Sequence, residues 1–205
     1  MEYFFYCRDR PDSLDLRLEL APAHWDFMDG YADAMIARGP TLAGDDNPLM
    51  TGSMHIVDLP DARAAQSFAF DEPFFKAGLF ADVLVRRFRN ALGATMWDFT
   101  GTGARRYLVI AQGTADAASR EQVRDRQREY LLDGDYREAL IGYGPLLSEA
   151  GTDWLGTALL VESADHGTAE KIVNDSPYAQ AGMYEQTEIH NWRFGGRPQP
   201  DPATS

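Results

Sequence analysis

The four histidines are the side chains of this sequence best suited to moving a proton near neutral pH. His24 follows Pro22, and proline suits the first turn of a helix. Met28, Tyr31 and Met35 then follow His24 at spacings of four, three and four, which places all of them on one face of a helix predicted over 21–38. The positive end of the helix dipole disfavours an imidazolium there and would leave His24 a neutral base. The bland reading of a lone histidine on an apolar face is a core residue with satisfied hydrogen bonds. His55 lies between Met54 and Ile56 and shares a strand face with Ser53 and Val57, a place in a pocket wall or in the core. His166 follows Asp165 and reads as exposed; His190 falls on the last strand. The four show no metal-ligand spacing, and one cysteine, Cys7, makes neither a zinc site nor an intrachain disulfide. There is no Gly-x-Ser-x-Gly nucleophile turn, and Gly101-Thr102-Gly103 lacks the rest of either nucleotide signature.

The chain repeats itself at an offset of 104 residues. Gly52, Val57, Asp71, Pro73, Ala77 and Gly78 return as Gly156, Val161, Asp175, Pro177, Ala181 and Gly182. Tyr3 answers Tyr107, Asp61 answers Asp165, and Arg89 answers Arg193. Gly39-Pro40 recurs one step late as Gly144-Pro145. This period is the length of a small domain, too long for a solenoid unit. Each copy therefore tests the other: a residue kept in both serves structure, and a chemical residue kept in one marks divergence.

The elements that must position these residues follow the same repeat. Residues 2–8 read as a strand apolar on both faces, as does its twin from Tyr107, so both faces need cover. The helix over 21–38 and its copy over about 119–142 are expected to end at the two Gly-Pro pairs. Strands follow at Gly52–Asp58 and Gly156–Glu162. Asp61 and Asp165 are placed to cap the next helices, and Asp71 and Asp175 to cap shorter ones. Final strands are expected at 81–89 and 185–193. Each copy is then β-α-β-β-α-β, the ferredoxin-like order. The predicted organisation is a first repeat over 1–90, a connector over 91–105 that packs on the body through Met96, Trp97 and Phe99, a second repeat over 106–194, and a flexible tail over 195–205.

With 44% hydrophobic and 12% aromatic residues, the 205-residue chain can bury a real core. A net charge of −13 without a basic run argues against nucleic acid or an anionic membrane as partner. No apolar run approaches the roughly 20 residues of a membrane helix, and no secretory leader is visible. A cytoplasmic location is the expectation.

These features together resemble the YCII (YciI-like) domain family. Its members open with a strand and a helix bearing an Arg-Pro-Ala-His-Leu type motif, here Ala21-Pro22-Ala23-His24-Trp25. A Gly-Pro, a Gly-led strand and an Asp-Pro-Tyr/Phe…Ala-Gly-Leu segment follow, here Gly39-Pro40, Gly52 and Asp71-Glu72-Pro73-Phe74-Phe75-Lys76-Ala77-Gly78-Leu79. The match covers about 2–90, and more loosely 106–194. Two departures stand out: the motif's arginine is Ala21, and Glu72 (Ser176 in the second copy) reads as an insertion in Asp-Pro. The resemblance implies an α+β fold in which two ferredoxin-like sheets pack face to face as a dimeric α/β barrel, here within one chain.

It also implies a His/Asp pair, His24 and Asp71, doing acid–base work without a cofactor. One branch of the family removes chloride from chlorinated hydroxyhydroquinones. A carboxylate on one ring nitrogen would fix the tautomer and favour the charged form after proton capture, which suits abstraction from a phenol, an enol or a carbon beside a carbonyl. Asp71 has a competing structural reading as a helix cap, because its twin Asp175 persists where His24 is replaced by Arg128. One site per chain is expected, with the second copy as scaffold or Arg128 holding an anionic group of the ligand. Tyr3 and Phe5, with Trp25, Phe27, Phe74 and Phe75, are candidates to line a cleft for a flat molecule, with His55 beside them; most of these aromatics are expected in the core. The leading expectation is a cofactor-independent lyase or isomerase, dehydrochlorinase- or cyclase-like, acting on a small aromatic or polyketide-like molecule. The alternatives are a non-catalytic small-ligand-binding or accessory protein and a cofactor-free oxygenase. The chain is expected to be a monomeric pseudo-dimer or a homodimer.

Overall fold

A computed structural model describes residues 1–114 and 117–197. Eight strands close into an antiparallel barrel in the order β1-β3-β2-β8-β5-β7-β6-β4. The first copy supplies β1 (Glu2–Asp9), β2 (Met35–Gly44), β3 (Asn47–Asp58) and β4 (Phe80–Phe88). The second supplies β5 (Arg105–Gly113), β6 (Leu140–Leu147), β7 (Trp154–Ser163) and β8 (Tyr184–Trp192). Helices α1 (Leu14–Asp29), α2 (Ala62–Phe70) and α3 (Pro73–Lys76) belong to the first copy; α4 (Ala117–Arg128), α5 (His166–Asn174) and α6 (Pro177–Gln180) belong to the second. Each copy is thus β-α-β-β-α-β, and the two four-stranded sheets join at two short seams. One seam pairs Thr41 with Trp192 and Leu42 with Asn191; the other pairs Arg87 with Leu147 and Phe88 with Leu146.

The doubly apolar strands are explained by this closure. Phe4 and Tyr6 of β1 point into the barrel, where they pack with Met54, Ile56, Leu108, Ile110, Leu160 and Trp192. Tyr3 and Phe5 point the other way, into a layer formed with Met28, Val57 and Phe68 beneath α1 and α2. Both sides of the strand bury apolar area at about 25 cal/mol per Å², so neither can be polar. The barrel also removes the sheet edges that two separate ferredoxin-like units would leave exposed. Asp61 and Asp165 cap α2 and α5, accepting from the Ala64 and Thr168 amides at 2.8 and 2.7 Å. In the connector Met96 is buried and Phe99 half-buried, while the Trp97 ring is largely exposed.

The helix bounds, the Gly-Pro pairs and the Asp71 and Asp175 caps are corrected. The first helix runs over Leu14–Asp29, with Pro22 inside it, and 35–44 is strand β2. Met35, Ala37, Gly39 and Thr41 are buried in strict alternation, the period of a strand. In the second copy α4 ends at Arg128, a π turn spans Glu129–Asp133, and β6 begins at Leu140.

The Gly-Pro pairs therefore lie in strands and do not end helices. Their glycines are kept because the chain of the other copy passes too close for a side chain. A Cβ on Gly39 would overlap the carbonyl of Arg193, and one on Gly144 would overlap that of Arg89. Gly39→Ala and Gly144→Ala are each expected to cost about 1–3 kcal/mol through overpacking, read as a lower urea midpoint at unchanged slope; a change within 0.5 kcal/mol, about the scatter of ordinary surface substitutions, would show the seam to be yielding.

Asp71 and Asp175 do not cap α3 and α6. They end α2 and α5, and the caps are Glu72 and Ser176, whose side chains accept from the Phe75 and Ala179 amides. The residues before the two prolines are thus the capping positions themselves. Of the expected tail over 195–205, the part beyond 197 lies outside the described residues.

Candidate active site

The inward stripe of α1 builds one wall of the site. Arg17, Ala21, His24 and Met28 recur at helical spacing and all line a cavity of about 600 Å³. Arg17 anchors this helix to the sheet. Its Nε and Nη2 donate to the two carboxylate oxygens of Asp9 at 2.7 and 2.8 Å, and Nη2 also reaches Ser53 Oγ at 2.9 Å. The pair is almost wholly buried, with side chains 6% and 4% exposed. A bidentate guanidinium–carboxylate fork holds direction as well as distance.

Two helical turns along, His24 meets its carboxylate. Nδ1 lies 2.6 Å from Oε1 of Glu72, with the two side chains 12% and 4% exposed. The other oxygen of Glu72 accepts from the Phe75 amide at 2.9 Å. One carboxylate thus caps α3 with one oxygen and holds the imidazole with the other, so the cap fixes the orientation of the histidine. The ring is held flat as well: Phe74 stacks on it with centroids 4.2 Å apart and planes 11° from parallel. Among the described residues no protein group hydrogen-bonds Nε2. With Nδ1–H given to Glu72, Nε2 carries the free lone pair in the neutral tautomer.

Asp71 is therefore not the partner of His24. Its side chain is 57% exposed and pairs with Lys76 at 3.0 Å. The dipole argument for His24 also falls, because the residue sits deep in α1 and not in its first turn. Arg128 is corrected too: it is 64% exposed, pairs with Asp133 at 3.0 Å, and does not line the cavity. Tyr3 and Phe5 are buried in the layer under the helices and do not line it either. His55 does, with its ring centroid 6.0 Å from that of His24. Trp25 and Phe74 line it as well.

Burial holds the proton affinity of His55 well below the ordinary histidine value, with His24, Arg38 and Arg17 adding to the effect. The native protein keeps this ring neutral, whereas the unfolded chain protonates it below about pH 6.5. Stability is therefore lost as pH falls through that value, with a limiting slope of about 1.4 kcal/mol per pH unit for one proton. His190, lowered chiefly by burial against the opposing pull of Glu188, acts in the same direction. His55→Leu is expected to flatten the stability profile between pH 7 and 5 in urea titrations. An unchanged slope would show that His55 does not stay neutral in the fold.

Residues not anticipated from the sequence complete the cavity. Arg38, Gly39 and Pro40 of β2 face Arg193, Phe194, Gly195 and Gly196, which follow β8 of the second copy. The Arg193 amide donates to the Pro40 carbonyl at 3.3 Å and the Gly195 amide to the Arg38 carbonyl at 3.0 Å. The first copy's site is thus walled by the end of the second. Glu72 does carry a signal in the sequence, as the carboxylate directly before Pro73. Arg17 and Arg38 have none, because the turn that returns Arg17 onto Asp9 and the approach of Arg38 to the second copy are invisible to local pattern. Of the other histidines, His166 is exposed at the start of α5. His190 lies outside the cavity, 3.4 Å from Tyr6 Oη through Nδ1 and 3.2 Å from Glu188 through Nε2. Cys7 is buried, which pushes its thiol well up from the ordinary value and keeps it unreactive. Among the described residues no group of three or more His, Cys, Asp or Glu is placed to hold a metal ion, and no helix is long and apolar enough to cross a membrane.

A family model, the YCII-related domain, matches the chain twice, over residues 1–89 and 105–193. The chain belongs to the YCII family. It is a tandem duplication of that domain, closed on itself as a dimeric α/β barrel. Protein YciI of Escherichia coli O6:H1 is 34% identical over 96 residues, which are 44% of this chain and 98% of that protein. The solved structure of 5-chloro-2-hydroxyhydroquinone dehydrochlorinase from Burkholderia phenoliruptrix AC1100, in complex with 2,5-dihydroxybenzoquinone, is 34% identical. It covers 46% of this chain and 99% of its own, with a TM-score of 0.42. A chlorite dismutase from Candidatus Nitrospira defluvii matches 94% of this chain and 90% of its own at a TM-score of 0.58; at 11% identity this likeness is one of fold.

The second YCII copy carries none of these side chains. At the repeat offset, Asp9, Arg17, His24, His55 and Glu72 become Gly113, Glu121, Arg128, Leu159 and Ser176. Aromatic packing occupies that side of the second copy: Trp154 lies 5.3 Å from Tyr178 and 6.1 Å from Tyr184, with Val123, Leu147 and Met183 around them. Gln127 is buried there with its carbonyl on the Tyr178 amide.

Proposed function

We propose that this YCII protein is a cofactor-independent acid–base enzyme of lyase or isomerase type, with one site per chain and His24 as its base. The observation that carries the reading is the His24–Glu72 pair at 2.6 Å, opening on a cavity of about 600 Å³. A cavity of that size suits a small organic molecule, and Trp25, Phe74 and Phe194 on its walls suit a flat one. Nε2 of His24 takes a proton from a phenol, an enol or a carbon beside a carbonyl. The imidazolium so formed is stabilised by Glu72, which keeps its own charge, as the orienting acid of a catalytic triad does. Return of the proton at a second position is an isomerisation; departure of a group from the neighbouring carbon is an elimination.

Support for a single site comes from the repeat. All five members of the constellation have been replaced in the second copy, as expected once selection for chemistry is relaxed while selection for the barrel continues. That copy's remaining contribution is the wall from Arg193 to Gly196.

A panel of compounds tests the reading by reaction type. Full-length protein is incubated in D₂O with enolisable ketones, hydroxyquinols and chlorinated hydroxyquinols, and deuterium uptake or chloride release is followed by NMR and ion chromatography. The expected result is catalysed exchange or elimination with at least one member. Binding of panel members with no catalysed proton movement in any of them would assign the cavity to ligand carriage.

A further inference from the structure

We propose that Arg38 and Arg193 form an anion-binding subsite, so that the substrate presents a carboxylate, or an equivalent planar anion, to them while its reacting atoms face His24. The inference rests on the acid–base reading of the same cavity and names the class of molecule it takes.

Both arginines line the cavity, one from β2 of the first copy and one from the strand end of the second. Neither has a carboxylate within ion-pairing distance among the described residues. The other arginine of the cavity, Arg17, is neutralised by Asp9. Arg8, Arg105, Arg106, Arg124, Arg128 and Arg197 also have acidic partners, and the other described arginines without one lie outside the cavity. A chain with net charge −13 has carboxylates to spare, yet none is set against these two groups.

Arg38 carries a further sign. Its Nε is shut off from solvent and has no hydrogen-bond partner. A buried donor left unpaired is costly, and in native proteins such a group calls for an explanation. Arg87 and Arg106 have an unpaired buried Nε as well, but Arg38 alone of the three stands in the cavity wall. The guanidinium is also placed: it lies within 6.0 Å of the Trp97 ring and against Gly196, where a Cβ would come within 3.3 Å of Nη2. An aromatic face and a glycine leave the planar fork held but its charge unanswered, and a guanidinium edge matches a carboxylate in two parallel hydrogen bonds.

The repeat agrees. Arg38 aligns with Tyr143 in the second copy, where Gly39-Pro40 becomes Gly144-Pro145, so this cation is present in the copy that retains His24 and absent from the one that has lost it. The subsite also requires both copies, because its second arginine comes from beyond β8.

The experiment is isothermal titration of the full-length protein with benzoate and with benzamide, its neutral counterpart of the same shape. Benzoate is expected to bind at least tenfold more tightly than benzamide. Arg38→Met and Arg193→Met are each expected to weaken benzoate at least tenfold with little effect on benzamide, and Asp71→Asn to leave both unchanged. Circular dichroism melts check folding. Should Arg38→Met fail to fold, Arg193→Met and the comparison of the two probes on the unaltered protein decide alone. Equal affinity for the two probes, no benzoate binding at millimolar concentration, or unweakened benzoate binding in the folded methionine variants would overturn the subsite. The titration reads binding only. Protein that discriminates the probes yet moves no proton would leave the subsite standing and remove the acid–base reading; proton transfer without discrimination would do the reverse.

Discussion

Replacing His24 with glutamine is expected to slow proton transfer by about 10²–10⁴-fold, the usual worth of a positioned general base. Substrate affinity should change far less, because glutamine occupies much of the same volume. Glu72→Gln should lose a smaller but clear factor. Its amide can still cap α3, but it no longer accepts the Nδ1 proton as a charged group, and the stabilisation of the imidazolium goes with it. Asp71→Asn should leave the rate within twofold, since that carboxylate is exposed and, among the described residues, pairs with Lys76 alone. The three variants, assayed as kcat on whichever panel substrate turns over, separate the carboxylate found beside the imidazole from the one the family motif points to. A His24→Gln rate within threefold of the parent would sink the acid–base reading.

Asp9→Ala should be the most destabilising single change near the site. It leaves the Arg17 guanidinium buried against Ser53 with its charge uncompensated, and breaking a buried pair from one side typically costs about 3–5 kcal/mol. For a domain of this size each kcal/mol moves Tm by about 2–4 °C, so a fall of roughly 10 °C is expected in a circular dichroism melt. Replacing both partners, as Asp9→Leu with Arg17→Met, should cost less than Asp9→Ala alone, because no orphaned charge remains. If the single variant stayed within 1 kcal/mol of the parent, the pair would have to be solvated in a way its burial contradicts. Some activity should be lost with stability, since this pair seats α1 at the height where His24 reaches Glu72.

The architecture was readable because it is written in repetition and alternation. The 104-residue offset showed two equivalent units, and the doubly apolar strand at Tyr3–Cys7 demanded cover on both sides. One stretch misled for a definite reason. In β2 the inward residues Ala37, Gly39 and Thr41 are small, so its period of two is faint, and Met28, Tyr31 and Met35 supplied a helical spacing across what is in fact a helix end, a turn and a strand start.

At the site the division is sharper. From the sequence alone came the family, the two-copy barrel, and His24 as the residue the second copy gave up; these depend on residue type, order and internal comparison. The choice of Glu72 over Asp71 was decided only in three dimensions. The two are neighbours in sequence, but the turn from α2 to α3 sends one into the core and the other into water. The guanidinium–carboxylate seat of α1 and the wall lent by Arg193–Gly196 also belong to the tertiary structure alone. The first joins a strand end to the next helix across a turn and the second joins the two copies, and contacts closed by folding leave no periodic trace in the order of residues.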